Sequence, residues 1–357
     1  ESWMKFHMAN LPPVAVHDIL VHPRENDLIL GTHGRSIWIF DDASCLQQVS
    51  PELLAGPAHL FNIRPALRHA VKPVRYGIGD KPFRGLNPPY GALLTYYLKE
   101  KVEPKSELKI EVLDKSGKVI REIKDIPQEA GLNRVAWDLR LEGPRPRREA
   151  KAEEDFFFRG PRGPQALPGN YTVRLTLKGQ SLEKPLEVRL DPLLDISLDK
   201  LSQQQQYSLN LRDMQSMVND GLRALDMLRA QVDERKNMVE KLSKDFSAEV
   251  LGVVDSHLNK IDSIQEILVR PEGKAFWSEG PRLAERLNSL FASIEQVDAA
   301  PTKAQVEYFK ELEEEFKAAM GEVNRYLAQT VQELNNKLAE RKLPLVFVPE
   351  PIPIGKK

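Results

Sequence analysis

Three short apolar segments in the first 40 residues decide how the chain begins to fold: VAVHDILV at 14–21, LILGT at 28–32 and SIWIF at 36–40. Turn-forming residues separate them, HPREND at 22–27 and HGR at 33–35. Segments of this length, rich in β-branched and aromatic residues, predict strands, and the short connections predict an antiparallel meander. Because a meander of this size is only marginally stable alone, we expect it to pack against something else.

A longer β-rich region follows a linker. Residues 71–90 are rich in Pro, Gly, Lys and Arg and predict the linker, and residues 91–192 contain short apolar runs. Strands are expected at 92–98, 108–113, 119–123, 134–139, 170–177 and 186–190. Short antiparallel strands at this density are typical of an immunoglobulin-like β-sandwich. A long loop rich in Arg, Pro and Gly at 142–166 interrupts the region, which indicates a functional or a disordered segment.

The apolar period changes from two residues to three or four after Asp195. Apolar residues at this spacing predict four helices, at about 197–244, 248–268, 281–297 and 303–341. Ser197 and Thr302 are the expected N-caps of the first and fourth helices. The short connections predict an antiparallel four-helix bundle over residues 193–345. The Pro-rich residues 346–357 are expected to form an extended or disordered tail.

The composition narrows the classes of function. The 357 residues carry a formal net charge of -1, so nothing indicates a nucleic-acid partner or an anionic membrane surface. No apolar run is long enough for a transmembrane helix. The single cysteine, Cys45, cannot form an internal disulfide and is expected to be an inert, partly buried thiol. Because the sequence starts at Glu1 without an initiator Met or a signal peptide, we expect a fragment or a processed chain.

Several motifs resemble the end of a bacterial β-propeller protein. The segments NLPPVAVHD at 10–18 and GTHGRSIW at 31–38 are similar to the last blade of large sortilin-like proteins, often labelled BNR-repeat or glycosyl hydrolase proteins. The resemblance continues through the motifs NPPYGA at 87–92, GLNRVAWDLR at 131–140, PGNY at 168–171 and DP at 191–192, and through the helical region. It therefore spans nearly the whole chain.

The resemblance implies a domain order and a location. Residues 1–70 are expected to be the last blade of an incomplete propeller, because the other blades of such proteins precede this part. A propeller builds its ligand surface from the loops of all its blades, so the missing blades matter for function. Members of the family are expected to be secreted or periplasmic.

The glycosyl hydrolase label does not extend to individual residues. The related sialidases need a Tyr nucleophile paired with a Glu, together with an Arg cluster, and residues 1–70 do not supply that set. We therefore predict no catalytic residue, no metal and no cofactor, and a structural or protein-interaction role. One alternative is an accessory region of a glycoside hydrolase whose active site lies in other blades, and another is a carbohydrate-binding sandwich.

A carbohydrate-binding surface requires exposed aromatic rings. We expect Trp137 to be buried between the sheets, which removes the best candidate. Tyr96 and Tyr97 are adjacent in a strand, so one is expected inside and the other outside.

The turn HGR at 33–35 and the end of the third strand contain the candidate ligand contacts. His33, Arg35, Asp41 and Asp42 are these candidates, because an arginine in a projecting turn can bind a carboxylate with two hydrogen bonds. The alternative that we favour pairs Arg35 with Asp41 or Asp42 inside the blade. A metal site is not predicted, because His17 and its neighbour Asp18 point to opposite faces of a strand.

The loop at 142–166 is the candidate docking segment. Its basic residues Arg145, Arg147 and Arg148 precede four acidic residues, which favours a solvated, flexible loop. The alternative is a docking loop with Phe156, Phe157 and Phe158 as the hydrophobic anchor.

Unpaired strand edges and an apolar face are expected on the meander. We therefore expect residues 1–50 to pack against the missing propeller blades or another protein chain. A peptide or protein ligand is the expected class of partner.

Overall fold

The chain folds into β-structure followed by α-structure. The computed structural model describes residues 11–70, 85, 87–103, 107–148, 162–241, 244–271, 273 and 279–355. The chain divides into two compact units. The first, the β unit, comprises Glu1–Leu139 and Pro168–Leu194, and the second, the helical unit, comprises Arg140–Leu167 and Asp195–Lys357. The polypeptide therefore passes from one unit to the other at three points along the sequence.

The first sheet is an antiparallel meander, as the three apolar segments predict. It consists of β1 (Val16–Val21), β2 (Leu28–Thr32) and β3 (Ile37–Phe40), in that order. In the turn after β1, the Asn26 amide donates to the His22 carbonyl at 2.8 Å. Asn26 adopts a φ of 55°, a left-handed conformation that Asn tolerates better than most residues. The turn residues and the β-branched segments thus act together to form the sheet.

Two further sheets complete the β unit. A 3₁₀ turn at Ala43–Gln48 and the short helix α1 (Pro51–Ala55) follow β3. The remaining strands are β4 (Ala58–Leu60), β5 (Ala66–Arg68), β6 (Ala92–Leu98), β7 (Leu108–Leu113), β8 (Val119–Ile123), β9 (Gly131–Trp137), β10 (Gly169–Leu177) and β11 (Gln180–Leu190). One sheet has the order β5-β11-β10-β7-β8, and the other has the order β4-β6-β9.

Strands β4 and β5 differ from the predicted domain organisation. Residues 1–70 are predicted to be a blade separate from the region 91–192, but β4 pairs with β6, and β5 pairs with β11 in the parallel direction. Each of these two strands has only three residues, too few for an alternating pattern to reveal. The end of the predicted blade is therefore part of the sheets formed by the following region.

Trp137 lies in the core of the β unit. Its side chain is fully buried, and its ring contacts that of Tyr171 edge to face at a centroid distance of 5.4 Å. Trp137 belongs to the three-stranded sheet and Tyr171 to the five-stranded sheet, so the contact joins the two sheets. Gly91 has a φ of 115°, and a Cβ there would lie 1.8 Å from the Trp137 carbonyl oxygen. Only glycine permits this close approach.

The helical unit contains long helices joined by short connections. The helices are α2 (Leu198–Val239), α3 (Lys244–Leu268), α4 (Leu283–Ile294), α5 (Lys303–Arg325) and α6 (Val331–Glu340), and a π-helical segment, Tyr326–Thr330, joins α5 to α6. Their buried apolar side chains form one core. The spacing of apolar residues predicts these helices within a few residues at most ends.

The two predicted N-caps behave differently. Thr302 accepts a hydrogen bond from the Gln305 amide at 3.3 Å, and the Gln305 side chain accepts one from the Thr302 amide at 2.8 Å. This reciprocal capping box confirms the predicted start of α5. Ser197 does precede α2, but its side chain makes no capping hydrogen bond.

Residues 140–167 leave the β unit and join the helices. The predicted boundaries place them inside the sandwich at 91–192, whereas Arg140–Leu167 belongs to the helical unit. The carboxylate of Glu295 holds this segment, which we call the excursion. The Glu295 carboxylate accepts hydrogen bonds from Arg140 Nη1 at 2.9 Å, from the Gln165 amide at 3.3 Å and from Ser208 Oγ at 2.7 Å. Because the Glu295 side chain is only 6% exposed, these bonds are largely shielded from water.

Within the described residues, no helix combines the length and apolar character required to span a bilayer.

Candidate interaction surface

Strand β1 is exposed along its whole length, on both faces of the sheet. All six of its residues are exposed, although three in succession, Ile19, Leu20 and Val21, are aliphatic. On β3, Ile37 and Ile39 are 67% and 56% exposed. We call these five residues the exposed aliphatic surface. A cluster of this kind on a β-sheet is a feature of surfaces that bind another protein.

The strand register brings most of this surface together. Leu20 pairs with Ile29, and Ile29 pairs with Ile39, so three aliphatic side chains form one row across the three strands. Ile37 lies two residues before Ile39 and therefore on the same face. This row, with Ile37, forms one apolar face of the meander, while Ile19 and Val21 point to its other face.

Arg134 anchors the meander to the sheet β4-β6-β9. Its guanidinium carbon lies 5.0 Å from the ring centroid of Phe40, and its Nε donates to Thr95 Oγ1 at 3.0 Å. Its Nη atoms donate to the carbonyl oxygens of Asp41 and Asp42, the second at 2.9 Å. One side chain thus holds the end of β3 on strands β6 and β9.

Asp41 and Asp42 stabilise the turn after β3. Asp42 has a φ of 47°, and its carboxylate accepts from the Ser44 amide at 3.2 Å, which caps the 3₁₀ turn. Arg64 Nε lies 3.6 Å from the same carboxylate. Burial and the nearby charge of Asp27 raise the pKa of Asp41. The Asp42 side chain therefore has a structural role in this turn, and Asp41 contributes its main-chain carbonyl, which accepts from Arg134.

The favoured pairing of Arg35 with Asp41 or Asp42 is wrong. Arg35 precedes β3 and the two aspartates follow it, so the four residues of the strand separate them by at least about 10 Å. Among the described residues the exposed Arg35 guanidinium makes no ion pair, and Asp42 pairs with Arg64 instead. His33 stacks on His17 with a centroid distance of 5.0 Å. The four candidate ligand contacts therefore do not converge on one site.

The arginines of the predicted docking loop bind helix α2. Arg147 forms a two-fold contact with Asp226, Nε to Oδ2 at 2.8 Å and Nη2 to Oδ1 at 2.6 Å. Arg145 contacts Asp220 in the same way, with Nη2 2.5 Å from Oδ2. Arg148 is more exposed, at 3.9 Å from Asp226. Arg145 and Arg148 are thus exposed, as a solvated loop predicts, but ion pairs with helix α2 hold this part of the segment.

The predicted hydrophobic anchor of that loop stays untested. Phe156, Phe157 and Phe158 lie outside the described residues. Sequence reasoning missed the acceptors Asp220 and Asp226, because acids on a helix surface ordinarily face solvent. Two arginines two positions apart indicate a segment that can bind carboxylates, but no local signal identifies Asp220 and Asp226 as the acceptors.

Burial removes the proposed carbohydrate platform. Trp137 and Tyr96 are both fully buried, and the Tyr96 hydroxyl donates to the Pro127 carbonyl. Tyr97 is partly exposed, and its hydroxyl donates to the Leu54 carbonyl at 3.3 Å. Cys45 is buried as well, and burial raises the pKa of its thiol, so it is a poor nucleophile at neutral pH.

Comparisons with models of protein families, with curated protein sequences and with solved structures find no match to this chain.

Proposed function

We propose that this chain is a non-catalytic structural and protein-interaction region of a secreted or periplasmic, sortilin-like bacterial β-propeller protein. In this proposal β1–β3 belong to the last blade, and their partner is the apolar sheet face of an adjoining blade. The observation that carries the proposal is the exposed aliphatic surface, Ile19, Leu20, Val21, Ile37 and Ile39.

The distribution of apolar residues supports a blade. The row of Leu20, Ile29 and Ile39 covers one face, and Leu30 and Phe40 occupy the other. Within the chain Leu30 is 6% exposed and Arg134 covers the ring of Phe40, whereas the face with Leu20 and Ile39 stays exposed, and a stacked propeller blade would cover it. Fully burying one aliphatic side chain is worth about 1.5–3 kcal/mol, so covering this surface is strongly favourable.

The free strand edges support the same partner. In the described part of the chain, no strand pairs with the outer edge of β1 or of β3. Propeller blades have four strands, so a three-stranded meander leaves room for one more. An unpaired edge beside an apolar face also favours aggregation, which a neighbouring blade prevents.

We propose further that the rest of the β unit is an immunoglobulin-like sandwich around Trp137. The ring of Trp137 contacts Tyr171 edge to face, and this contact joins two sheets whose neighbouring strands are mostly antiparallel, which supports a sandwich. We also propose that the helices form an antiparallel four-helix bundle in which α5, the π-helical segment and α6 count as one helix. Contacts of α2 with both α3 and α4, and of α4 with α5, support it.

Site-specific photo-crosslinking tests the blade proposal. Benzoylphenylalanine replaces Ile39 in the protein produced in its cell of origin, and mass spectrometry identifies the cross-linked peptides. We expect cross-links to strand segments of propeller repeats, in the same polypeptide or a bound one. The matched control carries the photo-crosslinker at Val119, a 40%-exposed residue on β8.

Equal cross-linking from positions 39 and 119 would contradict the proposal, as would cross-links from position 39 to peptides that are not β-strands. In either case the exposed aliphatic surface would not be an interface between blades.

A further inference from the structure

The last residues of the chain lie in a groove of the helical unit, at a place that the blade proposal does not involve. After α6 the chain turns at Lys342, which has a φ of 56°, and residues 343–355 form neither helix nor strand. Val346 is 3% exposed, and Val348 and Ile352 pack against the helical core. The neighbours Leu345 and Phe347 are 52% and 68% exposed, so the segment alternates between inward and outward side chains.

Three side-chain amides bind the main chain of this segment in the same way. Asn335 accepts from the Val346 amide at 2.8 Å and donates to the carbonyl of the same residue at 3.0 Å. Gln231 makes the same pair of bonds with Phe347, at 2.7 and 3.1 Å. Each amide thus binds both polar groups of one residue, as a neighbouring β-strand would.

The third amide and one arginine extend the contact along the segment. Asn324 binds both the amide and the carbonyl of Ile352, at 2.7 and 2.8 Å. Arg235 donates from Nε to the Pro344 carbonyl at 2.9 Å and from Nη2 to the Leu345 carbonyl at 3.1 Å. Helices α2, α5 and α6 therefore supply eight hydrogen bonds to the main chain of residues 344–352.

This arrangement has the chemistry of peptide recognition. Bonds to the main chain bind an extended segment whatever its outward side chains, and inward pockets select the side chains between. Here the inward positions take Val346, Val348 and Ile352, and prolines at 344, 349, 351 and 353 keep the segment from becoming helical. A helix or strand that formed part of the core would instead use main-chain hydrogen bonds of its own.

We propose that the groove of Gln231, Arg235, Asn324 and Asn335 is an exchangeable peptide-binding site for an extended, proline-containing segment. Residues 344–352 are its ligand and occupy it within the same chain. The ligand class is an extended peptide with small aliphatic residues at the inward positions.

The first experiment makes the ligand separable. A protease site is inserted between Lys342 and Leu343 of the full chain, at the exposed turn, and a fluorescent peptide of residues 343–355 is the probe. We expect the uncleaved chain to bind no probe, because the covalent tail competes at a high effective concentration. After cleavage the probe should bind and displace the tail, as fluorescence anisotropy and gel filtration would detect, while circular dichroism stays unchanged.

Three outcomes would overturn the proposal. The cleaved chain could keep its helical circular dichroism and bind no probe, its tail could stay attached without exchanging, or the helices could unfold on cleavage. Each of them would assign residues 344–352 to the permanent core of the helical unit.

A matched pair of variants tests the amide contacts. Asn335→Asp removes the amide group that donates to the buried Val346 carbonyl. We expect the affinity for the probe to fall by roughly tenfold or more. The control is Asn336→Asp, the same change at the next position, where the side chain is exposed and contacts Gln332. Equal probe affinity in the two variants would contradict the assigned role of Asn335.

Discussion

Arg134 shows how a single side chain determines where the meander lies. It binds two consecutive carbonyl groups, of Asp41 and Asp42, and covers the ring of Phe40. Lysine has no planar fork of donors, so it cannot reach both carbonyls and Thr95 at once. The sequence marks Arg134 only as a polar residue in an alternating strand, and the carbonyls that it binds lie 93 and 92 positions earlier in the chain.

We predict that Arg134→Lys loosens the meander without unfolding the β unit. Leaving one or both carbonyls unpaired should cost about 1–3 kcal/mol locally. Amides of residues 28–40 should then exchange with deuterium roughly 5–150 times faster. The control, Arg189→Lys, alters an exposed pair with Glu187 and should leave exchange in this region unchanged. Unaltered exchange in Arg134→Lys would show that the meander does not depend on this side chain.

His257 is a buried histidine in the helical core. It is 6% exposed, and its Nδ1 lies 3.3 Å from the Tyr326 hydroxyl, at the start of the π-helical segment. Burial lowers the pKa of His257 below 6.5, although the charge of Glu333 acts in the opposite direction. The folded state therefore binds a proton at this site less readily than the unfolded state does.

The sign of the pH effect follows from this lowered pKa. Well above pH 6.5, His257 is neutral in both states and contributes nothing to pH dependence. As pH falls below 6.5, the unfolded state takes up the proton first, so the free energy of unfolding decreases until the folded-state pKa is reached. We predict that the melting temperature of His257→Gln, measured by calorimetry, falls less between about pH 7.5 and about pH 5 than that of the wild type.

The control for this prediction is His69→Gln, which removes an exposed histidine. It should keep the wild-type dependence of melting temperature on pH. If His257→Gln keeps that dependence as well, His257 does not limit stability in acid.

At the scale of elements, the excursion depends on ion pairs with helix α2. Arg147 and Asp226 are 21% and 28% exposed and meet through two parallel hydrogen bonds, a geometry stronger than that of most surface pairs. Gln265 also donates to Asp226 at 2.9 Å, which fixes the carboxylate. Main-chain bonds support the contact, since the Arg145 amide donates to Ser216 Oγ at 3.1 Å.

We predict that Arg147→Gln releases the excursion for proteolysis. Cleavage after Glu142 by a glutamate-specific protease should become roughly tenfold faster, because a charged hydrogen-bonded contact is lost. The control is Arg223→Gln. Arg223 and its partner Asp220 both belong to helix α2, so this change removes no contact between the excursion and the helix. Equal cleavage rates in the wild type and Arg147→Gln would show that the ion pair does not hold the excursion.

The helices could be predicted from the sequence because each carries its own signal. Apolar residues three or four apart place them, and Thr302 with Gln305 marks the start of α5. The π-helical segment could not be predicted in this way. Tyr326, its first residue, packs beside His257 of another helix, and such a contact is not encoded by local spacing.

The candidate interaction surface was predictable only in part. An apolar face on a small meander follows from the segments themselves, and Ile37 and Ile39 are indeed exposed. The ion pairs of Arg145 with Asp220 and of Arg147 with Asp226 were not predictable, because the two aspartates lie 75 and 79 residues further along the chain. Local sequence describes what a segment can bury or bind, but tertiary structure decides which distant partner it meets.

On the scale of the whole molecule, charge does little to keep copies of this chain apart. Its formal net charge of -1 provides almost no electrostatic repulsion. The exposed aliphatic surface lies next to the outer edges of β1 and β3, which no described strand covers, so two copies can cover each other's apolar face. Without adjoining blades, self-association is the expected consequence of this combination.

We predict that the isolated chain associates as its concentration rises and that the double variant Ile37→Lys with Ile39→Lys remains monomeric. Two ammonium groups on the face make its burial costly, and sedimentation velocity measures the change. The control, Leu193→Lys, alters a residue that is 90% exposed outside the meander and should associate like the wild type. Because both lysines replace exposed side chains, folding should be preserved. Association of the double variant to the wild-type extent would mean that another surface brings the copies together, and the argument for a blade interface at Ile37 and Ile39 would lose its physical basis.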